Sequence, residues 1–139
     1  MKIEFRDMEI ADYDRMIALW RRIEGLALSE ADEREAIAAY LRRNEGMSFV
    51  CEADGELAGT ILCGHDGRRG YVYHAAVDPA YRGRGIARQL ASLSLDKLRE
   101  AGIGKCHLFV LEDNDAGAAF WTATGWQRRS GFYVYSRDV

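Results

Sequence analysis

The 139-residue chain carries 19 Lys and Arg against 22 Asp and Glu, a net charge of −3, and 48% of its residues are hydrophobic. That length suits one domain over residues 1–139, able to bury about two-thirds of its unfolded surface, and the acidic excess argues against a nucleic-acid partner, which calls for clustered basic charge. No apolar run reaches membrane-spanning length and the Met1-Lys2-Ile3-Glu4-Phe5 start has no signal-peptide core, so the sequence reads as cytoplasmic, without a membrane partner.

Residues 2–6 alternate as a half-buried strand. Ala11-Asp12 offers an N-cap for a helix to about Ile23, with Tyr13, Met16, Ile17 and Trp20 as its inward stripe. Glu24 to Asp32 shows no clear periodicity, and a second helix is predicted from about Ala31 to Arg43, with Ile37, Tyr40 and Leu41 inward and Gly46 ending it. Met47–Ala53 and Leu57–Cys63 are apolar strand-like runs joined by Asp54-Gly55, a strong hairpin signal. Tyr71 to Val77 is aromatic, β-branched and nearly uncharged, as a buried strand should be, and Asp78-Pro79 stops it because proline has no amide to donate. From Ile86 to about Glu100 apolar residues recur at helical spacing, through Leu90, Leu93 and Leu98. Ala101-Gly102-Ile103-Gly104 closes that helix, and Lys105–Leu111 is a strand parallel to Tyr71–Val77, completing a βαβ unit. Asn114-Asp115 caps a short helix ending at Gly125, and Trp126–Arg129 with Phe132–Arg137 form a last hairpin around Ser130-Gly131. Cys51, Cys63 and Cys106 are odd in number, lie in predicted strands and lack metal spacing, so they read as reduced core thiols, and no metal site is expected.

The stretch Tyr81-Arg82-Gly83-Arg84-Gly85-Ile86-Ala87-Arg88 stands where the central strand hands over to the long helix. The first amides of a helix lack internal partners and sit at the positive end of its dipole, so anions are favoured there. Gly83 and Gly85 allow close approach to the backbone, and Arg82, Arg84 and Arg88 add positive charge, which together suit a diphosphate. The plainer reading is a tight strand-to-helix turn with solvated arginines. A dinucleotide fingerprint fails because Arg88 stands at its third glycine, and a P-loop fails for want of Gly-Lys-Ser/Thr.

Arg82-x-x-Gly85-x-Ala87 after Val77-Asp78-Pro79 resembles the acyl-CoA signature of the GNAT superfamily of N-acyltransferases. Asn114, the apolar stretch Ala116–Phe120, Trp121 and then Gly125-Trp126 resemble that family's second block, with Trp121 where tyrosine is usual. The resemblance implies an α/β GNAT fold: a mixed central sheet of about seven strands with a splayed parallel pair, flanked by about four helices, where pattern alone gives only a mixed α/β protein. It also implies an N-acetyltransferase, monomer or homodimer, moving an acetyl group from acetyl-CoA to a primary amine of a small molecule or of a protein N-terminus or lysine. By the same resemblance Ala75, Ala76 and Val77 would pair with the pantetheine arm, and Gly83, Arg84, Gly85, Ile86, Ala87 and Arg88 would hold the diphosphate. Asn114 and Trp121 would contact the arm, although Asn114 also reads as a helix cap and Trp121 as core.

An indole N–H cannot supply a proton to a leaving thiolate at working pH, so the acid falls to another group, with Tyr133 the candidate beside Tyr135, Tyr71, Tyr73 or water. His74 is the candidate base, since histidine titrates near neutrality and this one lies on the central strand; its other reading is a sheet histidine held by packing. His107 reads as packing and His65 as solvated, and Glu112, just past the strand end, as a surface charge. The acidic segment Glu24, Glu30, Asp32, Glu33, Glu35 suits a cationic acceptor or an ordinary solvated face. An acyl-CoA-binding module without turnover is a second functional class, kept open by Trp121.

Overall fold

Five strands form one sheet in chain order: β1 (Ile3–Asp7), β2 (Phe49–Ala53), β3 (Glu56–His65), β4 (Gly70–Val77) and β5 (Cys106–Leu108). The first four pair antiparallel, and β5 lies parallel to β4. The computed structural model describes residues 1–139, and their contacts gather into two compact units, Met1–Phe109 and Val110–Val139.

In the first unit, Asp54 and Gly55 take φ of 50° and 83°, the left-handed pair of a two-residue turn whose twist matches that of the flanking strands, so Ala53 and Glu56 stay in register. Helices α1 (Tyr13–Arg22) and α2 (Arg34–Arg43) precede this hairpin, and α3 (Ile86–Glu100) joins β4 to β5. Neighbouring residues of a strand face opposite ways, and β3 demonstrates it. A Cβ on Gly59 would come within 3.0 Å of Ile86 and 3.2 Å of Leu90 on α3, whereas the Thr60 hydroxyl meets Trp20 on α1 at 2.8 Å. Helices α1 and α3 therefore cover opposite faces. Met16, Leu19 and Trp20 of α1, Ile37 of α2 and Val50, Leu57, Leu62 and Ala76 of the sheet form one buried cluster. On the other face α3 buries Ile86, Leu90, Ala91, Ser94 and Leu98.

The β4–β5 ladder runs only from Gly70↔Cys106 to Val72↔Leu108. No pairing continues past it, so the expected strand over Lys105–Leu111 is cut to three residues: a strand lasts only as far as its neighbour follows it. The second unit holds α4 (Asp115–Ala123). Trp126–Arg129 and Phe132–Arg137 do not form the expected hairpin. No ladder bond joins them, Phe132 to Tyr135 are exposed, and alternation without a partner does not make a strand. The sheet thus has five strands where about seven were expected. No helix is long and apolar enough to cross a membrane.

Asp12 stands at the N-cap of α1, yet its carboxylate serves the 3-10 turn before it, accepting from Glu9 N at 3.0 Å and from both Arg6 terminal nitrogens at 2.9 and 2.7 Å. Burial pushes this carboxyl up, but the bonds from Arg6, Glu9 and Arg15 outweigh burial and hold it below its usual range. Hydrogen bonding from Arg6, seconded by Arg15, holds Glu52 low as well. Carboxyls lowered on folding stabilise the fold above their unfolded pKa, about 4, and lose that contribution as pH falls through the folded values. Urea midpoints measured from pH 6 to pH 2 should therefore fall steeply below about pH 4. Arg6→Met should cost roughly 1–3 kcal/mol at pH 7 and flatten that acid slope.

Candidate functional site

At the exit of β4, Asp78 caps a 3-10 turn, Pro79–Tyr81, by accepting from Ala80 N at 3.0 Å, and its other oxygen takes Arg22 Nη1 at 3.1 Å. The Ala80 amide and Arg22 together hold this carboxyl below its usual range despite burial. The end of α1 is thereby fastened to the start of the connection. Gly83 and Gly85 follow with φ of 80° and 77°, a conformation that costs any side chain, and a Cβ on either would meet nothing within 4 Å. Gly85 is the N-cap of α3. The amides from Gly83 to Arg88 find no acceptor within the protein; Gln89 N is the first to do so, bonding Gly85 O at 3.0 Å. Six consecutive unpaired donors, a helix start and the exposed side chains of Arg82, Arg84 and Arg88 make an anion cradle open to solvent. The residues present fit a diphosphate.

Directly upstream, β4 carries a bulge. Thr60 pairs with Ala76 but Leu62 with Tyr73, so two steps on β3 answer three on β4, and His74 takes φ of 46°. A non-glycine residue at that φ is strained by about 1–3 kcal/mol and persists only where its surroundings over-determine it. They do so here. Trp20 Nε1 donates to Thr60 Oγ1 at 2.8 Å, and Thr60 Oγ1 donates to the His74 carbonyl at 2.9 Å, with Trp20 and Thr60 fully buried. The His74 ring lies 4.7 Å from the Trp20 ring, and its Nε2 sits 2.7 Å from Asp32 Oδ1. Past Val72 the edge of β4 turned away from β3 has no ladder partner, and an unpaired edge from Tyr73 to Val77 is the kind of main chain that an extended ligand pairs with. Ala76 is buried; Ala75 and Val77 are half-buried beside it.

Asp32 is the residue that sequence reading missed: by composition it is one acidic residue among five. Its signal is the Ser29-x-x-Asp32 spacing of a capping box. Ser29 N donates to Asp32 Oδ2 at 3.0 Å around a 3-10 turn, Glu30–Asp32, which ends at the extended Glu33 and delays α2 to Arg34.

The remaining sheet residues divide simply. Tyr71 stacks near-parallel with Tyr73 and Phe109 and contacts His107 at 5.6 Å, so His107 is packing. His65 Nδ1 accepts from Gly67 N in the β3–β4 turn. The cysteines are free. Burial pushes the Cys63 thiol up to about 12 and those of Cys51 and Cys106 to about 11, which keeps them protonated and poor nucleophiles at neutral pH.

In the second unit Asn114 caps α4, its Oδ1 accepting from Gly117 N at 3.0 Å while its Nδ2 donates to no protein group. Trp121 is half-buried, edge-on to Phe120 and Trp126 at 4.9 and 5.3 Å. Tyr133 is 89% exposed and outside any strand, and Glu112 is exposed. In the first unit the structure brings together His74, Ala75, Ala76 and Val77 on one strand, with the cradle on the connection that follows.

The fold is α/β, a mixed sheet with a bulged fourth strand and a parallel pair at its end, and the helix start after that strand is shaped for an anion. Residues 13–126 match the model of the acetyltransferase (GNAT) family. An acetyltransferase of Pectobacterium atrosepticum is 39% identical over 114 residues, 82% of this chain and 80% of that one. The chain belongs to the GNAT acetyltransferase family. Among solved structures, the PaiA N-acetyltransferase of Thermoplasma acidophilum in complex with coenzyme A superposes with a TM-score of 0.82 at 20% identity, over 95% of this chain and 94% of that one. The ribosomal-protein-alanine N-acetyltransferase of Brucella melitensis gives 0.74 at 19% identity, over 99% and 100%. At those identities the likeness is one of fold.

Thr60 is both acceptor and donor in the chain that holds the bulge. Thr60→Val keeps the shape but orphans the Trp20 indole N–H and the His74 carbonyl, so unfolding followed by tryptophan fluorescence in urea should show a loss of roughly 1–3 kcal/mol.

Proposed function

We propose that the protein is an acetyl-CoA-dependent N-acetyltransferase whose acceptor is a primary amine. The observation that carries this reading is the run of unpaired amides from Gly83 to Arg88 directly downstream of an unpaired strand edge, Tyr73 to Val77. One feature suits the diphosphate of CoA and the other its extended amide-bearing arm. Family membership supports the same reaction class.

Acetyl-CoA would supply the acetyl group as an activated thioester. The chain's own residues then have three tasks. The amides of Gly83 to Arg88 bind the diphosphate, and the free edge of β4 orients the arm. His74 takes a proton at its ring from the acceptor ammonium, which leaves a neutral amine with a lone pair for attack on the acyl carbon. As the new N–C bond forms and the C–S bond breaks, the second amine proton ends on the departing sulfur, by way of water or a phenol. Net release is one proton, one amide and one free thiol. The carboxylates of Glu24, Glu30, Glu33 and Glu35 are exposed, and this supports an acceptor that arrives as a cation. An alanine amine of a protein, as in the ribosomal-protein-alanine acceptor named for the Brucella neighbour, is one such group. Trp121 supports a second reading, an acyl-CoA-binding module without turnover.

Two measurements separate these readings. Calorimetry should detect saturable CoA binding that weakens at least tenfold, about 1.4 kcal/mol, in Gly85→Glu, which places a side chain at a φ of 77° and a negative charge in the cradle. With acetyl-CoA and pooled amines, free thiol should appear only when amine is present, and His74→Ala should slow that release by roughly 100-fold with CoA affinity unchanged. Binding without amine-dependent release would favour the module, and absence of binding would remove both.

A further inference from the structure

We infer that Asp32 is the positioning residue of this site: it fixes the tautomer and direction of the His74 ring, so that Nδ1 is the atom that takes the proton from the amine. The inference rests on the reading of His74 as the base and adds to it a residue from a different element, 42 positions away in sequence.

Both carboxylate oxygens of Asp32 are committed. Oδ2 accepts from Ser29 N at 3.0 Å and Oδ1 faces His74 Nε2 at 2.7 Å. The Asp32 carbonyl accepts from the Tyr13 hydroxyl at 2.6 Å, so backbone and side chain are both held, and the residue is 7% exposed. A carboxylate only accepts, so the hydrogen between it and the ring belongs to Nε2. In the neutral ring the lone pair then falls on Nδ1, which has no partner in the protein. The ring also packs against the Trp20 indole, 4.7 Å away between centroids, which is itself anchored to Thr60. A carboxylate that orients an imidazole from behind is the arrangement by which bases are held in a single tautomer.

Asparagine at position 32 cannot reproduce this. Its one carbonyl oxygen serves either Ser29 N or His74 Nε2: in the first case its NH2 can only donate to a bare Nε2, which moves the ring hydrogen to Nδ1, and in the second it meets the Ser29 N–H. Asp32→Asn should lower kcat by roughly 10- to 100-fold with KM for acetyl-CoA unchanged, and Asp32→Glu should restore part of the loss. An Asn variant with full kcat overturns the inference. The native protein gives an independent readout that needs no change at position 32. Long-range proton–nitrogen correlation on histidine-labelled protein, assigned with His65→Gln and His107→Gln, should show His74 protonated at Nε2 and bare at Nδ1. A ring protonated at Nδ1, or at both nitrogens across the active pH range, also overturns it. Loss of turnover in His74→Ala beside full turnover in Asp32→Asn defeats this inference alone, whereas full turnover in His74→Ala defeats the base assignment beneath it.

Discussion

One buried hydroxyl decides the shape of the central strand. Thr60 takes a hydrogen bond from the Trp20 indole and gives one to the carbonyl of His74, and that second bond is what a regular antiparallel ladder would not provide at this place. With it, β4 holds an extra residue at a φ that side chains resist. The bulge falls just past the last pair of the parallel ladder, Val72↔Leu108, and from Tyr73 to Val77 the far edge of β4 has no ladder partner. Because the donor of the chain sits on α1 and is wholly buried, the geometry of the site is set by the core itself.

The two halves of the site draw on different chemistry. The cradle is almost entirely main chain: amides, two glycines and a helix end, with arginine charge around it. Such a site constrains few side chains, because main-chain groups are the same whatever residue carries them. The half proposed to handle the proton depends on particular side chains, His74 with Asp32, Trp20 and Thr60, brought together from four separate elements.

That division also explains what could be read in advance. Helix α3, the Asp54-Gly55 hairpin and the Arg82 to Arg88 segment announce themselves, because periodicity, positive-φ turn residues and glycine spacing are local properties of the chain. The bulge does not, since the residue forced to positive φ is a histidine and its cause lies 14 residues away in Thr60. The partnership of His74 with Asp32 spans 42 residues and leaves only the faint Ser29-x-x-Asp32 signature behind. The last two strands fail for the converse reason. Phe132 to Tyr135 have the composition of a strand, but strand structure is a relation between two segments, and the second unit contains no partner for them.

The buried thiols have a practical side. Cys51 and Cys63 are fully enclosed, and all three sulfurs are held as neutral thiols well above physiological pH. Disulfide exchange and alkylation both proceed through the thiolate, so these side chains are slow partners for electrophilic reagents while the fold is intact. A colorimetric thiol reagent added to the native protein therefore meets little background from the protein itself, and colour that develops reports sulfur set free from outside the polypeptide.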